Sequence, residues 1–163
     1  MIILIMGVAG SGKTTIGQAL AAAKEWEFHD ADTFHSANSK AKMSRGEPLS
    51  DIDRQPWLQS LQIAIAKWLQ ADKNVILACS ALKASYRQFL CGDDPRVKLI
   101  YLTGNYELIE QRLRDRHGHF MQANLLQSQF DTLEAPNPDE AIYIDISQDL
   151  SAIVQQIRNC LNV

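Results

Sequence analysis

Cysteine is scarce in this chain, and what there is lacks pattern. Its 163 residues include Cys79, Cys91 and Cys160. An odd number without C-x-x-C spacing supplies neither a disulfide framework nor a zinc site. Cys79 lies in an apolar run and reads as a small core residue, a usage that fits a reducing cytoplasm. No apolar run is long enough to span a membrane. The apolar stretch from Met1 to Val8 is short, has no basic start and leads into a glycine-rich loop, so it reads as a strand and not as a secretory signal. Positive charge is not in excess: the net charge is −3 and the pI is near 5.8. That balance argues against nucleic acid as a partner. A small anionic substrate remains compatible, because its site needs only a few local cations.

What is present suits one domain, residues 1–163, with one core. Hydrophobic residues make up 46% of the chain and charged residues 21%, which excludes a disordered chain. Strand-like runs at Ile2 to Met6, Trp26 to Phe28, Val75 to Cys79, Val97 to Leu102 and Ile142 to Ile146 alternate with helical spacing. Ile16, Ala19, Leu20 and Ala23 mark one helix; Trp57, Leu61, Ala64, Ile65 and Trp68 mark another, with Pro56 in its first turn. Leu150, Ile153, Val154, Ile157 and Leu161 mark the closing helix. Five strands alternating with helices predict an α/β fold: a parallel sheet with helices on both faces, three layers in all.

Gly7-Val8-Ala9-Gly10-Ser11-Gly12-Lys13-Thr14 matches G-x-x-x-x-G-K-[ST] between a strand and an amphipathic helix, the context such a loop requires. Glycines let backbone N–H groups wrap a triphosphate, and the following helix, through Thr15, points its N-terminus at the anion. Lys13 can reach the β- and γ-phosphates, and the Thr14 hydroxyl can ligate Mg²⁺. ATP and Mg²⁺ are the cofactors this predicts.

The loop leaves the acceptor open. No N-K-x-D guanine reader occurs, and Asp115-Arg116-His117-Gly118 falls at a helix end, so a GTPase switch is disfavoured. The strand ending at Cys79 continues as Ser80-Ala81-Leu82, with no acid to help a metal. Asp30-Ala31-Asp32 supplies the alternative at the carboxyl edge of the sheet. One carboxylate can hold a Mg²⁺-bound water and the other can accept a hydroxyl proton, or either can simply cap the next helix. Arg112 and Arg116 share a helix face and suit a phosphoryl group in flight, although a solvated face is as ready an explanation. Arg114 lies on another face. His117 and His119 are too close for the usual zinc spacing.

More specific strings follow. They are Asp30-Ala31-Asp32 with Phe34-His35, then Lys42-Met43-Ser44-Arg45-Gly46-Glu47-Pro48-Leu49, then Asp51-Ile52-Asp53-Arg54-Gln55-Pro56-Trp57-Leu58. Cys79-Ser80-Ala81-Leu82-Lys83 with Tyr86-Arg87, Gly118-His119-Phe120, Gln129-Phe130 and Leu133-Glu134 complete them. Through these, nearly end to end, the chain resembles the small phosphate-loop gluconate kinases, relatives of shikimate and adenylate kinases. The resemblance implies a P-loop kinase fold, a substrate segment over residues 30–58, a helical lid over 112–134 and a cytoplasmic homodimer. It implies transfer of the ATP γ-phosphate to the 6-hydroxyl of D-gluconate.

Within that scheme Lys13, Asp32 and Arg116 are catalytic, with Asp32 as base, and Asp30 acts on the metal through water. Arg54 suits the gluconate carboxylate, or else pairs with Asp51 or Asp53. His35 can reach sugar hydroxyls, and Ser80 and Lys83 can face substrate. Arg112 and the loop around Ser147-Gln148 are expected near the nucleotide. Three positions depart from the family pattern: Ala31 stands where glycine is usual, Ser36 replaces proline, and Ser39 replaces asparagine.

Overall fold

Every side chain of β1 (Ile2–Met6) is buried, as an apolar run must be when both faces of its sheet are covered. In a computed structural model, which describes residues 1–117 and 121–163, this strand is central. Around it lie β2 (Glu27–Asp30), β3 (Val75–Ala78), β4 (Val97–Thr103) and β5 (Ile142–Asp145), in the order β2-β3-β1-β4-β5. All pairings are parallel: Ile5 lies opposite Ala78 and Ile100, Asp30 opposite Ala78, and Thr103 opposite Asp145. The five expected strands are therefore the five observed ones.

Successive residues of β1 face opposite layers. Ile2, Leu4 and Met6 pack with Trp57, Leu61 and Ile65 of α3 (Asp51–Gln70) and with Tyr86 and Leu90 of α4 (Ala84–Cys91). Ile3 and Ile5 pack with Ile16 and Leu20 of α1 (Lys13–Lys24), Ile109 of α5 (Tyr106–His117), and Ile153 and Ile157 of α7 (Leu150–Leu161). Each such Ile or Leu contributes about 1.5–3 kcal/mol by burial. The remaining helices are α2 (Ala37–Ser44) and α6 (Met121–Thr132).

One boundary differs from the sequence periodicity, which puts Pro56 in a first helical turn. The helix α3 begins at Asp51 instead. Ser50 Oγ accepts from Asp53 N–H at 3.1 Å, and the Asp53 carboxylate accepts from Ser50 N–H at 3.0 Å, a closed capping box. Pro56 then sits inside the helix, where it leaves one carbonyl unserved. That carbonyl belongs to Ile52, and both residues are on the exposed side, where water can serve it.

Because the strands are parallel, the loops after Met6, Asp30, Ala78, Thr103 and Asp145 leave one edge. The direction in which successive strands are added across the sheet reverses beside β1, which marks the crevice where ligands bind in such sheets. Among the described residues no helix is long and apolar enough to cross a membrane. The three cysteines are free, and burial pushes the Cys79 thiol up to about 12, which keeps it protonated and inert.

Candidate active site

The loop after β1 is held ready for an anion. Gly10 and Gly12 have φ of 78° and 96°, a region side chains disfavour. A Cβ on Gly10 would also lie 2.7 Å from Leu113 Cγ, so α5 packs directly on the loop. Gly12 caps α1 with no side-chain hydrogen bond, which leaves the first-turn N–H groups to a ligand. Lys13 arches back and donates through Nζ to the carbonyls of Gly7 and Val8, each at 2.9 Å. Burial pulls its ammonium pKa below the ordinary lysine value, opposed by the nearby Asp32 and Asp30 carboxylates. A bound phosphate would add further counter-charge to this buried cation.

The two carboxylates after β2 have different surroundings. Asp30 accepts from the Thr14 hydroxyl at 3.0 Å and from Asp32 N–H at 2.9 Å, so it both joins the loop and caps the 3₁₀ turn Ala31–Phe34. Asp32 caps nothing. Its side chain is 79% exposed at the mouth of the crevice. On its inner side the crevice wall desolvates it and raises its pKa, and the Asp30 charge adds to the rise. Thr14 and Asp30 thus supply two hard oxygen donors in contact, and the Asp32 carboxylate beside them accepts no hydrogen bond among the described residues.

Residues of α3 fix this arrangement from below. Trp57 donates its indole N–H to Ala31 O at 2.7 Å. Its ring stacks on His35 with centroids 4.5 Å apart, and His35 Nε2 lies 4.0 Å from Asp32 Oδ1. Burial lowers the His35 pKa, which favours the neutral ring. The departures from the family pattern fit locally. Ala31 is buried in the core, and Ser36 caps α2 by accepting from Ser39 N–H at 3.1 Å.

Arg54 does not pair with Asp51 or Asp53. Asp53 is held by Lys42 at 3.1 Å, and Asp51 is held by Lys83 at 2.9 Å and by the Tyr86 hydroxyl. Arg54 instead donates to Tyr86 Oη at 3.4 Å and has no carboxylate partner among the described residues. Ser80 follows β3 at the same edge. The turn after it is gripped by buried Arg87, which donates to the carbonyls of Ala81 and Leu82 at 3.0 and 3.1 Å.

On the far side of the loop a cleft of about 300 Å³ is lined by Gly12, Thr15, Ile16, Arg112, Arg116 and Gln148, among others. Arg112 is anchored by Ile146 O at 2.6 Å, while Arg114 points away to Glu110. This cleft adjoins the first turn of α1. Of the segment expected as a lid, residues 118–120, including His119, lie outside the described residues. Its later part is docked: Leu126 is buried and Gln129 Oε1 accepts from Ala9 N–H at 2.6 Å.

Trp57, Tyr86, Arg87 and Gln129 carry parts of this geometry that spacing does not assign. All four lie in the specific strings above, and that is the one sequence signal for them.

A phosphate loop on a five-stranded parallel sheet, with a carboxylate on its threonine and another free beside it, defines a small-molecule kinase. The family model described as shikimate kinase matches residues 9–162. The thermosensitive gluconokinase of Escherichia coli is 42% identical over 160 residues, spanning 97% of this chain and 86% of that protein. A solved gluconokinase from Sinorhizobium meliloti is 40% identical with a TM-score of 0.82, covering 94% of this chain and 87% of that one. A sugar kinase from Janibacter is 44% identical with a TM-score of 0.90, covering 99% and 94%. The chain belongs to the shikimate kinase family and, within it, to the gluconokinases.

Proposed function

We propose that this chain transfers the γ-phosphoryl group of ATP to the 6-hydroxyl of D-gluconate, giving 6-phospho-D-gluconate and ADP. One observation carries the reading: Asp30 is committed to Thr14, while the Asp32 carboxylate, two residues on, accepts no hydrogen bond among the described residues. Asp32 takes the proton from the 6-hydroxyl as its oxygen bonds to the γ-phosphorus. The bond from that phosphorus to the β–γ bridging oxygen breaks, and the electron pair leaves with ADP. Lys13 releases the loop carbonyls to meet the β- and γ-phosphates. Arg116 neutralises charge on the phosphoryl group in flight, and Arg112 holds the nucleotide in the cleft.

The oxygen donors of Thr14 and Asp30 fit Mg²⁺, with Asp30 acting through a water. When bound, that ion neutralises charge on the β- and γ-phosphates. Arg54, free of any ion pair among the described residues, binds the gluconate carboxylate through its planar fork. His35 and Ser80 face the polyol, and Lys83 reaches it after exchange from Asp51. A cytoplasmic homodimer with no nucleic-acid partner completes the reading.

An acceptor panel with coupled ADP detection tests it. Gluconate should drive ADP release, while shikimate and nucleoside monophosphates should not. Turnover with one of those acceptors and none with gluconate would overturn the substrate. Nucleotide binding without any acceptor-dependent ADP release would instead indicate a regulator.

A further inference from the structure

The contact between Gln129 and Ala9 has a chemical direction. A backbone N–H only donates, so the Gln129 atom that it meets at 2.6 Å is the carbonyl oxygen of the side chain. The other end of the same carboxamide is therefore an NH₂ group, carrying two donors and held at the phosphate loop. Gln129 cannot easily turn away. Leu126, one turn earlier on α6, is fully buried, and just past the helix Glu134 N–H donates to Leu82 O at 2.9 Å. The loop is braced from α5 as well, since Ile109 and Leu113 occupy the space where Gly10 would carry a Cβ. Both helices thus seat on the stretch Ala9-Gly10, which precedes the N–H groups that receive phosphate.

We propose that Gln129 orients the transferring phosphoryl group: its carbonyl is pinned by Ala9, and its NH₂ donates to a γ-phosphate oxygen. The proposal rests on the kinase reading above. It adds a neutral donor to the charged Lys13, one that contacts the γ-phosphate and not the β-phosphate. A rigid donor aimed at developing charge stabilises the transition state without reorganisation, and removing one such donor costs about 10²-fold in rate.

The test uses Gln129→Glu and Gln129→Ala in the full chain, compared with wild type after circular dichroism confirms the fold. Glutamate keeps an acceptor oxygen for Ala9 N–H, removes the donors and adds a negative charge. Gln129→Glu should therefore lose kcat by about 10²-fold and bind a non-hydrolysable ATP analogue more weakly. Its ADP affinity should fall much less, because ADP has no γ-phosphate and only the added charge acts on it. Gln129→Ala should show the same pattern with a smaller loss, since it adds no like charge.

A Gln129→Glu enzyme with wild-type kcat and ATP-analogue affinity would overturn the proposal and leave only the structural bond to Ala9. Equal losses of ADP and ATP-analogue affinity would also overturn it, by showing that the loop itself had moved. Failure of wild type to release ADP with gluconate would sink the substrate reading separately. The comparison of ATP-analogue with ADP binding decides the role of Gln129 in that case too.

Discussion

Trp57 donates its indole N–H to the carbonyl of Ala31, so one residue of α3 grips the link between the two site carboxylates. The same ring stacks on His35, which faces Asp32. Trp57→Phe keeps most of the apolar volume and removes the donor, leaving a buried carbonyl unpaired. The expected cost is about 1–3 kcal/mol of stability. Denaturant unfolding reads that loss, and kcat should fall more than ATP affinity because the carboxylates move and the loop does not. Unchanged stability would show that the bond contributes nothing net.

Asp32→Asn keeps the shape and removes the proton acceptor. kcat should fall by about 10²–10⁴-fold with ATP binding preserved. The pH profile gives a second check. The crevice and the Asp30 charge raise the Asp32 pKa, so activity should fall on the acid side at a higher pH than an ordinary aspartate would set. Turnover of Asp32→Asn near the wild-type rate would remove Asp32 from the chemistry.

Arg54→Lys retains the charge but loses the planar fork. Gluconate KM should rise about 10-fold or more, and Arg54→Ala should raise it further, with the KM for ATP little changed. Steady-state kinetics with each substrate varied in turn measures the split. An equal rise in both constants would place Arg54 in the scaffold instead.

The capping box of α3 predicts a pH-dependent stability. Backbone donation from Ser50, with Lys42 beside it, lowers the Asp53 carboxyl pKa to about 2. A depressed carboxylate stabilises the fold above its unfolded pKa, and that stabilisation is lost as pH falls towards the folded value. The Tm gap between wild type and Asp53→Ala should be constant near neutral pH and shrink between about pH 4 and 2. Ser50→Ala should cost about 1 kcal/mol from the lost cap. A gap independent of pH would show that charge plays no part.

Local pattern makes most of the fold legible. Apolar runs rich in β-branched residues give four strands, the alternation of Trp26 and Phe28 gives β2, and the phosphate loop gives the first turn of α1. The meeting of Thr14 with Asp30 follows from strand order, because both leave the same edge. Other features are set by specific side-chain contacts, near or distant in the chain. The start of α3 is decided by reciprocal bonds of Ser50 and Asp53, which outweigh the usual preference of proline for a first turn. The freedom of Arg54 depends on Lys42 and Lys83 having already taken the nearby aspartates. Gln129 reaches Ala9 across 120 residues, a pairing that no periodicity encodes.

The most direct measurement of the central claim is the identity of the product. Purified protein with ATP, Mg²⁺ and D-gluconate should yield one new phosphomonoester signal by phosphorus NMR, coupled to the C6 protons, with ADP formed in equal amount. A phosphoryl group on another oxygen, or ADP formed with gluconate left unmodified, would contradict the account.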